Sequence, residues 1–149
     1  MNLALTEFLE ELQRKGLEAG LSVLNQRVPH RFTAVFKFDG AMMRNVAIID
    51  KLGEVVPESI KVIPFENSFC QFVLRDGSFT THDSAVDDRL QGHVYKGVLN
   101  TYEGLPISKN NGELFGTLCH FDFAPLDLPE SEFQFLNQAV KVLPPYVKS

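Results

Sequence analysis

The tetrapeptide Lys109-Asn110-Asn111-Gly112 separates two β-rich runs, VLNTYEGLPIS over 98–108 and GELFGTLCHFDF over 112–123. Asn-Gly readily takes the positive φ values of a tight hairpin turn, so the two runs are predicted to pair antiparallel. Pro106 cannot donate to a ladder and is expected at a bulge or on the edge side of its strand. In the second arm both alternating sets are apolar, with Phe115, Cys119, Phe121 and Phe123 set against Leu114 and Leu118. That is the pattern of a central strand covered on both faces, so the rest of the chain must supply layers on each side.

Helical spacing opens the chain: Leu5, Phe8, Leu9 and Leu12 lie on one face, with Glu7, Glu10, Glu11 and Gln13 filling the other. Leu17, Leu21, Leu24 and Val28 continue the apolar row after Gly16 as far as Pro29, which predicts helical structure over 1–28 as one long helix or two short ones. From Phe32 the period becomes two, with Phe32, Ala34, Phe36 and Phe38 on one face and Thr33, Val35 and Lys37 on the other. Asp39-Gly40 then turns the chain into RNVAIID (44–50), a second hairpin arm. Residues 51–64, containing Gly53, Pro57 and Pro64, lack periodicity and read mostly as loop.

Ser68-Phe69-Cys70-Gln71 has the form of a capping box and predicts a short helix from Ser68 to about Arg75, stopped by Asp76-Gly77. SFTTH (78–82) reads as a short strand, and Asp83 or Ser84 as the cap of another short helix interrupted by Gly92. Pro129 opens a last helix over 129–147 carrying Phe133, Leu136, Ala139, Val140 and Leu143. The element order predicts an α+β fold in a single domain over 1–149. Its antiparallel sheet and pocket helices occupy 32–123, with the N- and C-terminal helices on one face and short helices and loops on the other.

Composition narrows the partners. With 149 residues, 44% hydrophobic and 22% charged, the chain is an ordinary globular domain rather than a disordered one. The formal net charge of -5 supplies no basic field, so neither nucleic acid nor an anionic membrane surface is an expected partner. Acidic residues and Gln interrupt the apolar positions of MNLALTEFLEEL, and no signal peptide or membrane span is expected there. Cys70 and Cys119 form neither a Cys-x-x-Cys pair nor a disulfide framework, which predicts free thiols in a reducing cytoplasm.

The stretch from about Phe32 to Leu143 resembles a GAF domain, the small-molecule sensory module of bacterial signalling proteins. The resemblance rests on FTAVFKFDG, IPFENSFCQFVLRDG, HDSAVDDRL and TYEGLPISKNNGELFGTLCHFDFAP in that order, and most specifically on SFC (68–70), DDRL (87–90), YEGLPI (102–107) and GTLC followed by Asp122. It is similar to the GAF subset that precedes diguanylate cyclase or histidine kinase domains, and the expectation here is a module without an output domain of its own. The resemblance implies a six-stranded antiparallel sheet, a ligand cavity between the sheet and the short helices, and a homodimer formed through the terminal helices. It names no cofactor and no ligand, since GAF domains hold cyclic nucleotides, bilins, haem, amino acids, oxo acids or nothing. The Asn-Lys-x-x-x-Phe-x-x-x-Asp-Glu pattern of the cyclic-nucleotide subset is absent from the sequence.

Within that frame the candidate ligand-binding residues are Ser68, Cys70, Asp83, Arg89, His93 and Tyr102. Arg89 binds a carboxylate bidentately and short-helix amides attract anions, so an anionic ligand is the first expectation. A thiol in the first turn of a helix is favoured as thiolate, which marks Cys70 as a candidate redox sensor against the plainer reading of a small core residue. Cys119-His120 has the letters of a bilin-attachment pair, but strand neighbours point to opposite faces, and a buried thiol and a packed histidine account for them. Cys70, His82, His93, Cys119 and His120 lack zinc-ligand spacing, and Asp83, Asp87 and Asp88 read as helix caps with an ion pair to Arg89, so no metal site is expected.

The function expected is a non-enzymatic sensory or regulatory GAF module that binds a small cytosolic metabolite and acts on a signalling protein in trans. One alternative is the stand-alone GAF enzyme free methionine-R-sulfoxide reductase, whose three-cysteine arrangement and Ser-Arg-Ser-Glu motif this sequence lacks. The other is a structural dimerisation domain whose thirteen phenylalanines fill the cavity.

Overall fold

Two long hairpins meet side by side at the centre of one sheet. A computed structural model describes residues 3–54, 57–109 and 111–147; Asn110 of the predicted turn, residues 55–56 of the predicted loop and residues 1–2 of the predicted first helix lie outside the described residues. Among the described residues six strands pair antiparallel: β1 (Phe32–Phe38), β2 (Met42–Asp50), β3 (Val62–Pro64), β4 (Phe79–Thr81), β5 (Thr101–Ser108) and β6 (Leu114–Asp122). Their order is β3-β2-β1-β6-β5-β4, with β1 and β6 joined from Phe32↔Phe121 to Lys37↔Gly116. The strand with two apolar faces is therefore central, as its pattern requires.

The N-terminal apolar row forms two helices, α1 (Leu3–Lys15) and α2 (Leu17–Gln26), broken at Gly16, whose φ of 95° few other residues adopt. With α5 (Glu130–Val142) they cover one face of the sheet. Phe8, Leu12, Leu21, Leu24, Phe135 and Leu136 pack there on Val35, Leu105, Ile107 and Leu118. Truncating a side chain such as buried Phe135 to Ala costs about 3–5 kcal/mol, so this layer fixes the helices to the sheet. The short helices α3 (Glu58–Lys61) and α4 (Cys70–Asp76) belong to the opposite layer, where Phe69, Val73, Phe79 and Leu90 meet Phe32, Ala34, Phe36, Tyr102, Cys119 and Phe121.

Several local expectations change. The predicted loop over 51–64 contains α3 and the edge strand β3, which pairs Met42↔Pro64 through Arg44↔Val62 and is too short to show a period. The capping box does not form: α4 begins at Cys70, Ser68 Oγ donates instead to the Phe65 carbonyl at 2.7 Å, and Gln71 Nε2 donates to the carbonyl of Ser68. The last helix ends at Val142 rather than 147, because Pro144 and Pro145 have no N–H to continue it. Phe115 joins the helix-side core instead of following Cys119 and Phe121. It is the extra residue of a bulge between Ile107↔Gly116 and Ser108↔Leu114, which reverses its direction.

Other local expectations are met. Gly77 stops α4 with a φ of 86°, and Asp83 Oδ1 accepts from the Ala85 N–H to cap a 3-10 turn over Ser84–Val86. Pro106 lies beyond the last β4 pair, Phe79↔Gly104, on the open side of β5.

Candidate functional site

Because β1, β5 and β6 alternate strictly on this side, Phe36, Tyr102 and Phe121 project towards the short helices and form one wall of a cavity of about 220 Å³. Ile60 of α3, Ile63 of β3, Phe69 and Cys70 at the start of α4, and Tyr95 and Leu99 from the segment before β5 close it. Its polar groups are the hydroxyls of Ser59, Ser68, Tyr95 and Tyr102 and the Cys70 thiol; among the described residues no charged side chain lines it. The Cys70 Sγ stands 3.4 Å from the Tyr102 hydroxyl and 3.3 Å from Thr117 Oγ1. Burial pushes the Cys70 thiol up and the Tyr102 phenol well above its usual range, so both stay protonated.

Three of the six expected ligand residues, Ser68, Cys70 and Tyr102, thus share the cavity wall. Asp83 and Arg89 do not; they line an exposed cleft with Thr80, His82 and Asp88. There the Arg89 guanidinium donates to both oxygens of Asp87 at 3.0 and 2.6 Å and to the Thr80 carbonyl at 2.7 Å, and it lies 4.6 Å over the Phe79 ring. The same contact holds the Asp87 carboxyl down to about 2. Arg89 is committed to its own chain, and the expected anion site does not assemble around it.

His93 packs outside the cavity, its ring centroid 4.7 Å from that of Phe69, with Nδ1 accepting from the Tyr95 N–H. Burial lowers its pKa, so it brings no cation to the wall. The helix-dipole expectation for Cys70 fails for the same reason: desolvation of a fully buried thiol outweighs the field of a seven-residue helix.

Cys119 and His120 point to opposite faces, as strand geometry demands, and both are buried. The thiol faces the Ala34 carbonyl at 3.8 Å. His120 lies on the helix side, where Asn25 Nδ2 donates to Thr33 Oγ1 at 2.9 Å and that hydroxyl meets His120 Nδ1 at 2.7 Å. Burial keeps the His120 ring neutral by lowering its pKa to about 3, so one of the two, the Thr33 hydroxyl or the imidazole, donates in that contact.

Sequence reading missed Ile60, Ile63 and Leu99 in the cavity and Glu103 on the other face. A parity signal existed for Glu103, which shares its strand face with Leu105 and Ile107. Among the described residues no group of three or more His, Cys, Asp or Glu is arranged to hold a metal, and no helix is long and apolar enough to cross a membrane.

No known family profile matches the sequence, and no curated protein matches it. Solved structures do match over almost the whole chain. The GAF domain of a phosphoenolpyruvate-protein phosphotransferase from Acinetobacter superposes with a TM-score of 0.72 at 16% identity, covering 98% of this chain and 93% of that one. Free methionine-R-sulfoxide reductase from Neisseria meningitidis, solved with its substrate, gives 0.72 at 14% identity over 98% of this chain and 90% of that one. The chromophore-binding domain of phytochrome P1 from Stigmatella aurantiaca gives 0.76 at 9% identity over 99% of this chain and 59% of that one.

Proposed function

We propose that this chain, which has the GAF fold, is a cytoplasmic sensory module whose signal is a small, uncharged, apolar molecule held between the sheet and the short helices. The observation that carries this reading is the cavity's lining of aromatic and aliphatic side chains with a few neutral hydroxyls and a thiol. Such a site gains free energy from apolar burial, roughly 25 cal/mol per Å², and would leave a carboxylate or phosphate without a counter-charge. The bound state passes through the sheet to the terminal helices, where a second copy of the chain or a signalling protein reads it.

Two buried, protonated thiols favour this reading over the reductase one, which needs accessible thiolates. The test is native mass spectrometry of protein isolated without denaturation, alongside titration with indole and toluene as neutral probes. The expected result is a retained neutral adduct or saturable uptake of a probe. A bare protein that takes up neither probe, or turnover of free methionine sulfoxide with thioredoxin, would overturn the proposal.

A further inference from the structure

Glu103 sits in the middle of β5 with no solvent exposure, and among the described residues neither carboxyl oxygen has a hydrogen-bond partner. Buried Asn25, Thr33 and Thr101 nearby are paired, whereas both ring nitrogens of the adjacent buried His30 share the condition of Glu103. His30 Nε2 and His82 Nε2 stop 3.6 and 3.8 Å from the same oxygen, Oε1, and burial lowers the His30 pKa to about 4, so the His30 approach is a contact without an ion pair. A buried carboxyl left in this condition is destabilising, because desolvation is not offset by a hydrogen bond.

Glu103 also lines a pocket of about 200 Å³ on the helix side of the sheet, together with Thr80, His82, Leu128, Glu130 and Phe133, with its carboxyl oxygens buried behind that lining. Thr80 is directly opposite Glu103 in the β4–β5 ladder. His82 stands at the rim, half exposed, with Nδ1 3.4 Å from the exposed Asp127. Among the described residues no lysine or arginine lines the pocket. The Glu130 carboxylate and the lack of a basic side chain in the lining disfavour an anion, and a neutral apolar guest would leave the Glu103 oxygens as they are. A group with several N–H donors and one positive charge answers both, while Leu128 and Phe133 suit a short hydrocarbon tail.

We propose that this pocket is a second ligand site, on the opposite face of the sheet from the first, which takes a small aliphatic ammonium ion with its nitrogen on Glu103 and its hydrocarbon on Leu128 and Phe133. His82 swings aside to admit it. In the empty protein the Glu103 carboxyl keeps its proton, burial raising its pKa to about 8. The incoming cation stabilises the carboxylate, so one proton leaves to solvent as one ammonium enters.

The test is a titration of the intact protein with isobutylammonium, following the Glu103 carboxyl carbon by NMR, with isobutanol as the uncharged isostere. The expected result is a saturable shift towards the ionised carboxylate that isobutanol does not produce. E103Q, which keeps the shape and the neutral state, should weaken binding about tenfold to a hundredfold, read by isothermal calorimetry. T80K places a tethered ammonium beside Glu103 and should compete with the probe to a similar extent while leaving the carboxyl in place. No saturable shift, an equal response to isobutanol, or undiminished binding in both variants would overturn the proposal.

Discussion

The Cys70 sulfur lies 3.3 Å from the hydroxyl oxygen of Thr117, joining the first turn of α4 to the central strand of the sheet. The thiol is thereby buried against the sheet instead of presented to solvent, and desolvation raises its pKa. Iodoacetamide at neutral pH should therefore alkylate native Cys70 at least about tenfold more slowly than the same residue in urea. A native rate equal to or above that of a free thiol would contradict the burial.

Arg89 tests where the cavity ends. R89A removes a half-exposed bidentate contact with Asp87 and the cover over Phe79. Surface pairs of this kind are worth about 0–1 kcal/mol, so a small loss of stability is expected. Uptake of indole or toluene should be unchanged, because the guanidinium does not line the cavity. Loss of probe binding in a folded R89A protein would return Arg89 to the site.

Gly116 allows β6 to lie against β1. A Cβ there would stand 1.8 Å from the Phe36 carbonyl oxygen, which is backbone and cannot move aside as a side chain would. G116A should destabilise the protein by at least about 1–3 kcal/mol, seen as a lower urea midpoint. A midpoint shift equivalent to less than about 0.5 kcal/mol, the range of a neutral surface change, would refute the close approach.

Stability should fall as pH rises above neutrality. Between the ordinary Glu value of 4.5 and the folded value of about 8, the unfolded chain releases the Glu103 proton while the folded one keeps it, so rising pH favours unfolding. His30 and His120, lowered to about 4 and 3 from 6.5, act oppositely: the unfolded chain binds their protons below 6.5, and stability grows as pH rises to that value. From pH 6.5 to 8 the Glu103 loss, a little under about 2 kcal/mol, outweighs the gain of under about 1 kcal/mol left as the two unfolded histidines finish deprotonating, for a net loss of about 1 kcal/mol. Thermal unfolding at pH 6.5 and 8 should show that loss in the native sequence and a flatter dependence in E103Q. Equal slopes would mean that Glu103 titrates normally.

Much of the fold was legible because it is written in short-range periods. The Phe32, Ala34, Phe36 row and the two apolar sets around Leu118 and Cys119 assigned both faces of the central strands, and Asp76-Gly77 marked a real helix end. Half of the candidate site followed, since Ser68, Cys70 and Tyr102 do meet at the cavity. Asp83 and Arg89 did not follow, because their polar groups find partners within a few residues or, for the Arg89–Thr80 contact, in the adjoining strand, and His93 did not because its ring packs on Phe69 outside the cavity with Nδ1 on the Tyr95 N–H. β3 was invisible because three residues carry no period and the strand exists only by pairing with β2.

By itself the sequence determined the five strands other than β3, the faces of most of their residues, the helix end at Gly77, and the free state of two thiols in different elements, since each depends on neighbours a few positions away. Only the tertiary structure decided that Glu103 is fully buried beside His82, that Arg89 is spent on Asp87, and that among the described residues no charged side chain lines the cavity. Burial and counter-charge are set by segments far apart in the chain, brought together by the packing of two layers on one sheet, and no local pattern records which of them will meet.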